Sequence, residues 1–97
     1  VLVFLAVGVL APIAEEIFFR GYIFTALRRQ KGLWQAFLVG SAIFAVVHLN
    51  LPALLPLFVL GLALSAIYYY SGSLVSAIIA HGINNSVAII GLYFVSQ

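Results

Sequence analysis

The first property of this 97-residue sequence is its shortage of polar side chains. Cysteine is absent, which excludes disulfide bonds, thiolate metal sites and a cysteine nucleophile. Only 6% of the residues are charged, and just two of them are acidic. So few charges cannot cover the surface of a soluble globule, and the net charge of +2 is too small to indicate nucleic-acid binding. We therefore expect a membrane protein with no nucleic-acid partner.

Long apolar segments separated by short connections make up the rest of the chain. Each segment approaches or exceeds the length of a helix that crosses a bilayer. The sequence thus predicts an all-α, polytopic membrane helical bundle with about four transmembrane helices, forming one unit over residues 1–97. Because the first segment begins at residue 1 without a methionine, we expect a fragment of a longer membrane protein. The segments run from Val1 to about Leu27, from Leu33 to about Leu49, from about Pro52 to Tyr70, and from Leu74 to about Val95.

The basic residues predict how the bundle is oriented. Arg28, Arg29 and Lys31, three of the four basic residues, fall in the first connection, which we predict to be a loop from Arg28 to Gly32. Because positive charge is retained on the inner side of a membrane, this loop is predicted to be cytoplasmic. In an antiparallel bundle, the turn from Ser71 to Ser73 is then also cytoplasmic. Trp34 follows the first connection and the tyrosines at 68–70 precede this turn, as is typical of an interfacial aromatic belt.

The predicted spans contain a small set of strongly polar residues, and three of these are close together in the first span. Near a bilayer centre, each charge costs roughly 2.5 to 3.5 kcal/mol, so Glu15, Glu16 and Arg20 require a reason. Positions four apart share a helix face, so Glu16 and Arg20 are predicted to form an ion pair. Glu15 is turned by about 100° from Glu16. We therefore interpret Glu15 as the carboxylate left for chemistry, supported by Glu16 and Arg20.

The other polar residues lie on the second and fourth spans. His81 and Asn85 share one helix face, and two neutral donors that meet in a dry cavity would form an oxyanion hole. His48, at the end of the second span and on one face with Phe44, is predicted to position a water against Glu15. Counted from the cytoplasmic loops, His48 is deeper in the membrane than Glu15, and His81 is shallower. Asn84 is expected to point elsewhere and to join helices.

Structural explanations of the same residues stay open at this stage. Glu15, Glu16 and Arg20 would also serve as a buried network that fixes helix packing. A histidine such as His48 is common near helix ends, and His81 with Asn85 would also join helices by hydrogen bonds. Glycines in the spans are expected to allow close helix approach. They are Gly8, Gly40, Gly61, Gly82 and Gly91.

Three short motifs follow one another along the chain, each in its own apolar segment. Residues 15–20 read EEIFFR and fit E-E-x-x-x-R, residues 44–48 read FAVVH and fit F-x-x-x-H, and residues 81–85 read HGINN and fit H-x-x-x-N. In this order they resemble the signature motifs of the CPBP family, the CAAX-protease and bacteriocin-processing or Abi-like intramembrane proteases. The resemblance implies peptide-bond hydrolysis within or at the membrane of a membrane protein or lipidated peptide.

By the same resemblance, Glu15 would be the general base that activates water, and His48 would help to position that water. His81 and Asn85 would stabilise the oxyanion, with Glu16 and Arg20 shaping the site. The short connections further suggest a bacterial plasma membrane. Because histidine and glutamate are zinc ligands, a zinc site formed by Glu15, His48 and His81 is an alternative, but the pattern H-E-x-x-H is absent. We expect a mechanism without a metal or other cofactor.

Two other functional classes use the same residue types. A proton relay or transport fragment would also place Glu, His and Arg inside the membrane. A noncatalytic scaffold that confers bacteriocin immunity would keep the fold and need no carboxylate base. A base, an imidazole and paired donors together fit acyl hydrolysis better than either alternative.

Overall fold

The computed structural model describes residues 1–96 as a bundle of helices, and no strand occurs among them. This confirms the predicted all-α membrane bundle. Three helices are long and apolar enough to cross a membrane, and the helix over Leu33–Val46 is shorter. The elements are α1 (Leu2–Lys31), α2 (Leu33–Val46), a 3-10 turn (Leu51–Ala53), α3 (Leu54–Ser71) and α4 (Leu74–Val95).

The first helix extends further than its apolar residues indicate. The predicted loop from Arg28 to Gly32 is wrong, because Arg28, Arg29 and Lys31 form the last turn of α1. Only Gly32 interrupts the helix, with a φ of 104° that few other residues adopt. Cations in a last turn interact favourably with the negative end of the helix dipole, which explains why the helix continues through them.

Two π-helical stretches interrupt α1 on either side of the glutamates, at Ala6–Leu10 and Ile17–Phe24. Pro12 follows the first stretch and has no N–H to donate to the Gly8 carbonyl. In the second stretch, the Thr25 hydroxyl donates to the Arg20 carbonyl oxygen over 3.0 Å. Such π-bulges occur frequently at functional sites, because they turn the side chains of one helix onto new faces.

The second helix ends earlier than predicted. Its 14 residues span about 21 Å, whereas the hydrocarbon core of a bilayer is about 30 Å thick. His48 therefore lies in the turn beyond the helix and not inside it, and Leu49 reverses the chain with a positive φ of 52°. The turn places His48 beside Glu15, near the middle of α1.

The fourth helix begins deeper in the bundle than the third one ends. Gly72 reverses the chain with a φ of 67°, and Ser73 caps α4 by accepting from the Ser76 amide over 3.3 Å. A methyl group on Gly21 would lie 3.7 Å from Leu74, so α4 starts well inside the end of α1 at Lys31. The depth of His81 that was counted from the loops is therefore wrong. Because α4 starts beside Gly21 instead of beside Lys31, His81 lies level with Glu15 and Glu16.

The bundle has a polar interior and an apolar exterior. Glu16, Arg20, Ser41, Ser65 and His81 are buried, whereas large apolar side chains of all four helices are exposed. In water this arrangement would be unstable, but in lipid the exposed apolar surface has no cost. Helix packing thus concentrates the polar side chains at the centre of the protein.

Candidate active site

The four residues predicted to be catalytic line one cavity of about 420 Å³. Glu15 comes from α1, His48 from the turn after α2, and His81 and Asn85 from α4. Three elements that are distant in sequence therefore meet at one place. Asn84 and apolar residues of all four helices complete the wall. The apolar residues are Val7, Ala11, Phe44, Leu57, Leu60, Ala88, Ile89 and Leu92.

Glu15 faces both imidazoles across this cavity. Its Oε1 lies 3.5 Å from His81 Nε2 and 3.9 Å from His48 Nε2. The side chains of Glu15 and His48 are about one third exposed, at 33% and 30%, while that of His81 is only 3% exposed. The carboxylate is therefore accessible to a small molecule and lies beside two nitrogen atoms.

Glu16 lies on the adjacent face of the helix, in a buried network. Its Oε2 accepts from Arg20 Nη1 over 3.1 Å and lies 2.7 Å from His81 Nδ1. Arg20 Nη2 donates to the Gly61 carbonyl oxygen of α3 over 2.7 Å. The ion pair predicted from the i, i+4 spacing is therefore present, and it also joins α1 to α3 and α4.

The contacts of Nδ1 indicate which ring nitrogen of each histidine carries the proton. His48 Nδ1 lies 2.6 Å from the Phe44 carbonyl oxygen, which only accepts, so this nitrogen carries the proton. His81 Nδ1 likewise faces the Glu16 Oε2 that accepts from Arg20, so we assign the proton to this nitrogen as well. In the neutral rings, both Nε2 atoms are then acceptors that face Glu15. A water molecule placed between Glu15 and these Nε2 atoms would find an acceptor for each of its two hydrogens.

The two asparagines differ from their predicted arrangement. Asn85 Nδ2 donates to the Val7 carbonyl oxygen over 3.0 Å, so one of its two amide hydrogens joins α4 to α1. The expected pair of free donors from His81 and Asn85 is thus partly engaged within the protein. Asn84, which was expected to point elsewhere, lines the cavity with Asn85.

Two residues outside the predicted catalytic set also support the site. Phe44 lies under the Arg20 guanidinium at 4.7 Å and contacts the rings of His48 and His81 at 4.9 and 5.8 Å between centroids. Gly61 supplies the carbonyl that Arg20 binds. Only the F-x-x-x-H motif could have indicated Phe44, and no local signal indicated that Gly61 accepts a hydrogen bond.

The zinc alternative depends on how its three predicted ligands are arranged. Within residues 1–96, no group of three or more His, Cys, Asp or Glu side chains is arranged to hold a metal ion. Glu15, His48 and His81 face one cavity, but they do not form such a group. No step of the mechanism proposed below passes through a metal.

Comparison with known proteins places this arrangement in a family. The family described as "Type II CAAX prenyl endopeptidase Rce1-like" matches residues 1–87. The protein named "UPF0177 protein YxdF" from Lactococcus lactis is 33% identical over 75 residues, covering 76% of this chain and 41% of that protein. "Putative membrane peptidase YdiL" from Bacillus subtilis is 34% identical over 83 residues, covering 86% of this chain and 34% of that protein.

No solved structure matches the chain. The chain spans 41% and 34% of the lengths of the two relatives. The family match covers all three motifs and every residue of the cavity that carries a charge or an imidazole. The chain therefore belongs to the Rce1-like family of type II CAAX prenyl endopeptidases.

Proposed function

We propose that this chain is the catalytic core of an intramembrane endopeptidase in which Glu15 activates a water molecule. One observation carries the proposal: a partly exposed carboxylate faces two imidazoles in a cavity, while its neighbour Glu16 is buried and binds Arg20 and His81 through its Oε2. A purely structural network would not explain why Glu15 stays accessible while part of its charge is buried at a cost. A catalytic base explains this, because it must contact both water and substrate.

In the first step, a water molecule binds between Glu15 and His48. Glu15 Oε1 accepts one of its hydrogens, and His48 Nε2 accepts the other, which aims the water oxygen at the substrate. The oxygen attacks the carbonyl carbon of the scissile peptide bond as its proton moves to Glu15. The Phe44 carbonyl holds the His48 ring in the tautomer that this step requires.

In the second step, the carbonyl oxygen of the substrate becomes an oxyanion, which His81 and Asn85 stabilise. Asn85 supplies its second amide hydrogen, since the first is donated to Val7. His81 donates from Nε2 when both ring nitrogens carry a proton. Glu16 lies 2.7 Å from Nδ1, and with Glu15 protonated the charges of Glu16, Arg20 and His81 then balance that of the oxyanion.

In the last step, the tetrahedral intermediate collapses and the C–N bond breaks. Glu15 returns its proton to the leaving amine nitrogen, so the carboxylate is restored for the next cycle.

The substrate is a membrane protein or lipidated peptide that reaches the cavity through the bilayer, either a prenylated CAAX tail or a bacteriocin precursor. The family and the apolar walls of the cavity support this class of substrate.

Cleavage assays on the full-length protein in detergent test the proposal. A panel of prenylated and unprenylated membrane peptides is incubated with wild type and Glu15→Gln, each with and without a chelator. Asn84→Ala is the control, because it changes a polar residue in the same cavity without removing the base. We expect cleavage by wild type and by Asn84→Ala, loss with Glu15→Gln, and no effect of chelator.

Three other results would overturn parts of the proposal. Activity that chelator removes and zinc restores would assign the site to a metal. Cleavage by Glu15→Gln at the wild-type rate would exclude Glu15 as the base. No cleavage of any peptide, with cellular function intact in Glu15→Gln, would favour the noncatalytic scaffold.

The proposed setting is a bacterial plasma membrane, with the basic end of α1 in the cytoplasm. Both relatives named above are bacterial, and Arg28, Arg29 and Lys31 lie together at that end. The test is a single cysteine at Gln30 in a cysteine-free background. It should react with a membrane-impermeant maleimide in inverted vesicles and not in intact cells, and the reverse pattern would invert the topology.

A further inference from the structure

A second cavity, of about 430 Å³, lies at the basic end of the bundle and has no part in the proposed chemistry. It opens between the last turns of α1 and α3, more than two helical turns from Glu15 along α1. Unlike the first cavity, it has basic and aromatic walls and contains no carboxylate. Its lining residues are Phe24, Thr25, Arg28, Arg29, Tyr68, Tyr69 and Gly72.

The wall of this basic cavity is organised by contacts between its own side chains. The Arg28 guanidinium lies 4.7 Å from the centre of the Tyr69 ring, a cation–π contact that restricts a flexible side chain. The hydroxyls of Thr25 and Tyr68 are 3.2 Å apart, which fixes the neighbouring wall. Phe24 packs edge-on against Tyr68 and closes the inner end.

The positive charge of the cavity is not neutralised by any carboxylate that the structure describes. Among residues 1–96, all ion pairs involve Glu15 or Glu16, and these are the two acidic residues of the chain. Arg28 and Arg29 both line this one space. Such a pair matches the geometry of a phosphate, whose oxygens accept parallel hydrogen bonds from planar guanidinium groups.

The position of the cavity indicates where such a phosphate comes from. The two helices that form it are apolar spans, and both end beside it, at Lys31 and Ser71. Tyr70 and Trp34, at the same end of the bundle, are exposed as residues at a membrane interface are. Basic pockets between transmembrane helices at this level bind the headgroups of anionic lipids.

We propose that the basic cavity binds the phosphate of an anionic glycerophospholipid headgroup. Arg28 and Arg29 hold the phosphate, Tyr69 holds Arg28 in place, and the acyl chains extend along the exposed apolar faces of α1 and α3. The site is separate from the glutamate cavity, so it does not depend on peptide hydrolysis.

Binding of a short-chain phosphatidylglycerol to the full-length protein in nonionic detergent tests this proposal. Affinity is measured for wild type and for Arg28→Gln and Lys31→Gln. The two variants remove one charge each from the same helix turn, but only Arg28 lines the cavity. We expect Arg28→Gln to weaken binding about tenfold and Lys31→Gln less than about twofold.

Tyr69 provides a second arm that changes no charge. Tyr69→Leu should weaken binding several-fold because Arg28 loses its aromatic support, whereas Tyr69→Phe should bind as wild type. Equal loss in Arg28→Gln and Lys31→Gln, or equal binding of phosphatidylcholine and phosphatidylglycerol, would overturn the proposal. Competition by inorganic phosphate at the lipid's own concentration would overturn the lipid as its source.

Discussion

Glu15 and Glu16 are neighbours in the chain, yet they lie in two regions with opposite properties. Glu15 is about one third exposed in a cavity, where its closest partner is an imidazole nitrogen at 3.5 Å. Glu16 is fully buried and binds Arg20 and His81 at 3.1 and 2.7 Å. One residue step on a helix separates an accessible carboxylate from a buried one that, together with Arg20, joins three helices. Identical side chains acquire different surroundings from the helix faces on which they lie.

The largest expected effect is on the accessible member of the pair. Glu15→Gln keeps the shape of the side chain but removes the base, so kcat should fall about a thousandfold. Stability should change by about 1 kcal/mol or less, since no strong partner is lost. Cleavage kinetics and unfolding in mixed micelles measure the two quantities. A variant that lost stability and activity together would show that Glu15 is also an anchor.

The converse result is expected for the buried member. Glu16→Gln leaves the Arg20 charge without its carboxylate, and breaking a buried ion pair in this way costs about 3 to 5 kcal/mol. Unfolding in mixed micelles should therefore shift to much milder conditions. The double variant Glu16→Gln, Arg20→Met should recover part of the loss, because no unpaired charge then remains. Wild-type stability of Glu16→Gln would contradict the division between the two regions.

A smaller effect is expected where α3 meets the network. A methyl group on Gly61 would lie 3.1 Å from Ser41 Cβ and 3.2 Å from both Ser41 Cα and Phe44 Cδ2. Gly61→Ala should therefore push α3 away from Arg20 and cost about 1 to 3 kcal/mol. Gly91→Ala is the matched control, since nothing lies within 4 Å of its added methyl group. Equal stability of the two variants would show that the network tolerates a shift of α3.

The smallest predicted change affects both regions at once. Phe44 contacts Arg20 of the buried network and His48 of the cavity, so Phe44→Leu should cost about 1 to 2 kcal/mol of stability and lower kcat about tenfold. Phe37→Leu is the control, because Phe37 packs on Phe24 and Tyr69 at the other end of the bundle. It should lose stability without a comparable loss of kcat. Equal kcat values for the two variants would remove Phe44 from the site.

The features that could be predicted from the sequence depend on local spacing. Four apolar segments gave the four helices, and the i, i+4 rule gave the ion pair between Glu16 and Arg20. The prediction that glycines allow close helix approach is correct at Gly61 and Gly82, where added methyl groups would meet neighbours at 3.1 and 2.9 Å. It was wrong at Gly91, whose surroundings are open. The pattern identifies the glycine, but only the packing of two helices decides whether it is needed.

The features that could not be predicted depend on the relative positions of helices. The contact of His81 Nδ1 with Glu16 requires α4 to begin level with Gly21, and nothing within either helix specifies that offset. The bond from Arg20 to Gly61 joins residues 41 positions apart and is made by a backbone carbonyl, which leaves no mark in the sequence. The early end of α2 similarly placed His48 in a turn instead of a helix.

The ion pair within α1 has a consequence for how the protein enters a membrane. A nascent chain presents α1 before α3 and α4 exist, so Gly61 and His81 cannot yet bind Arg20 and Glu16. The i, i+4 pair needs no other helix, because both of its members belong to α1, which is made before α3 and α4. The segment therefore carries its own neutralising partner through insertion, and the later helices complete a network that is already half assembled.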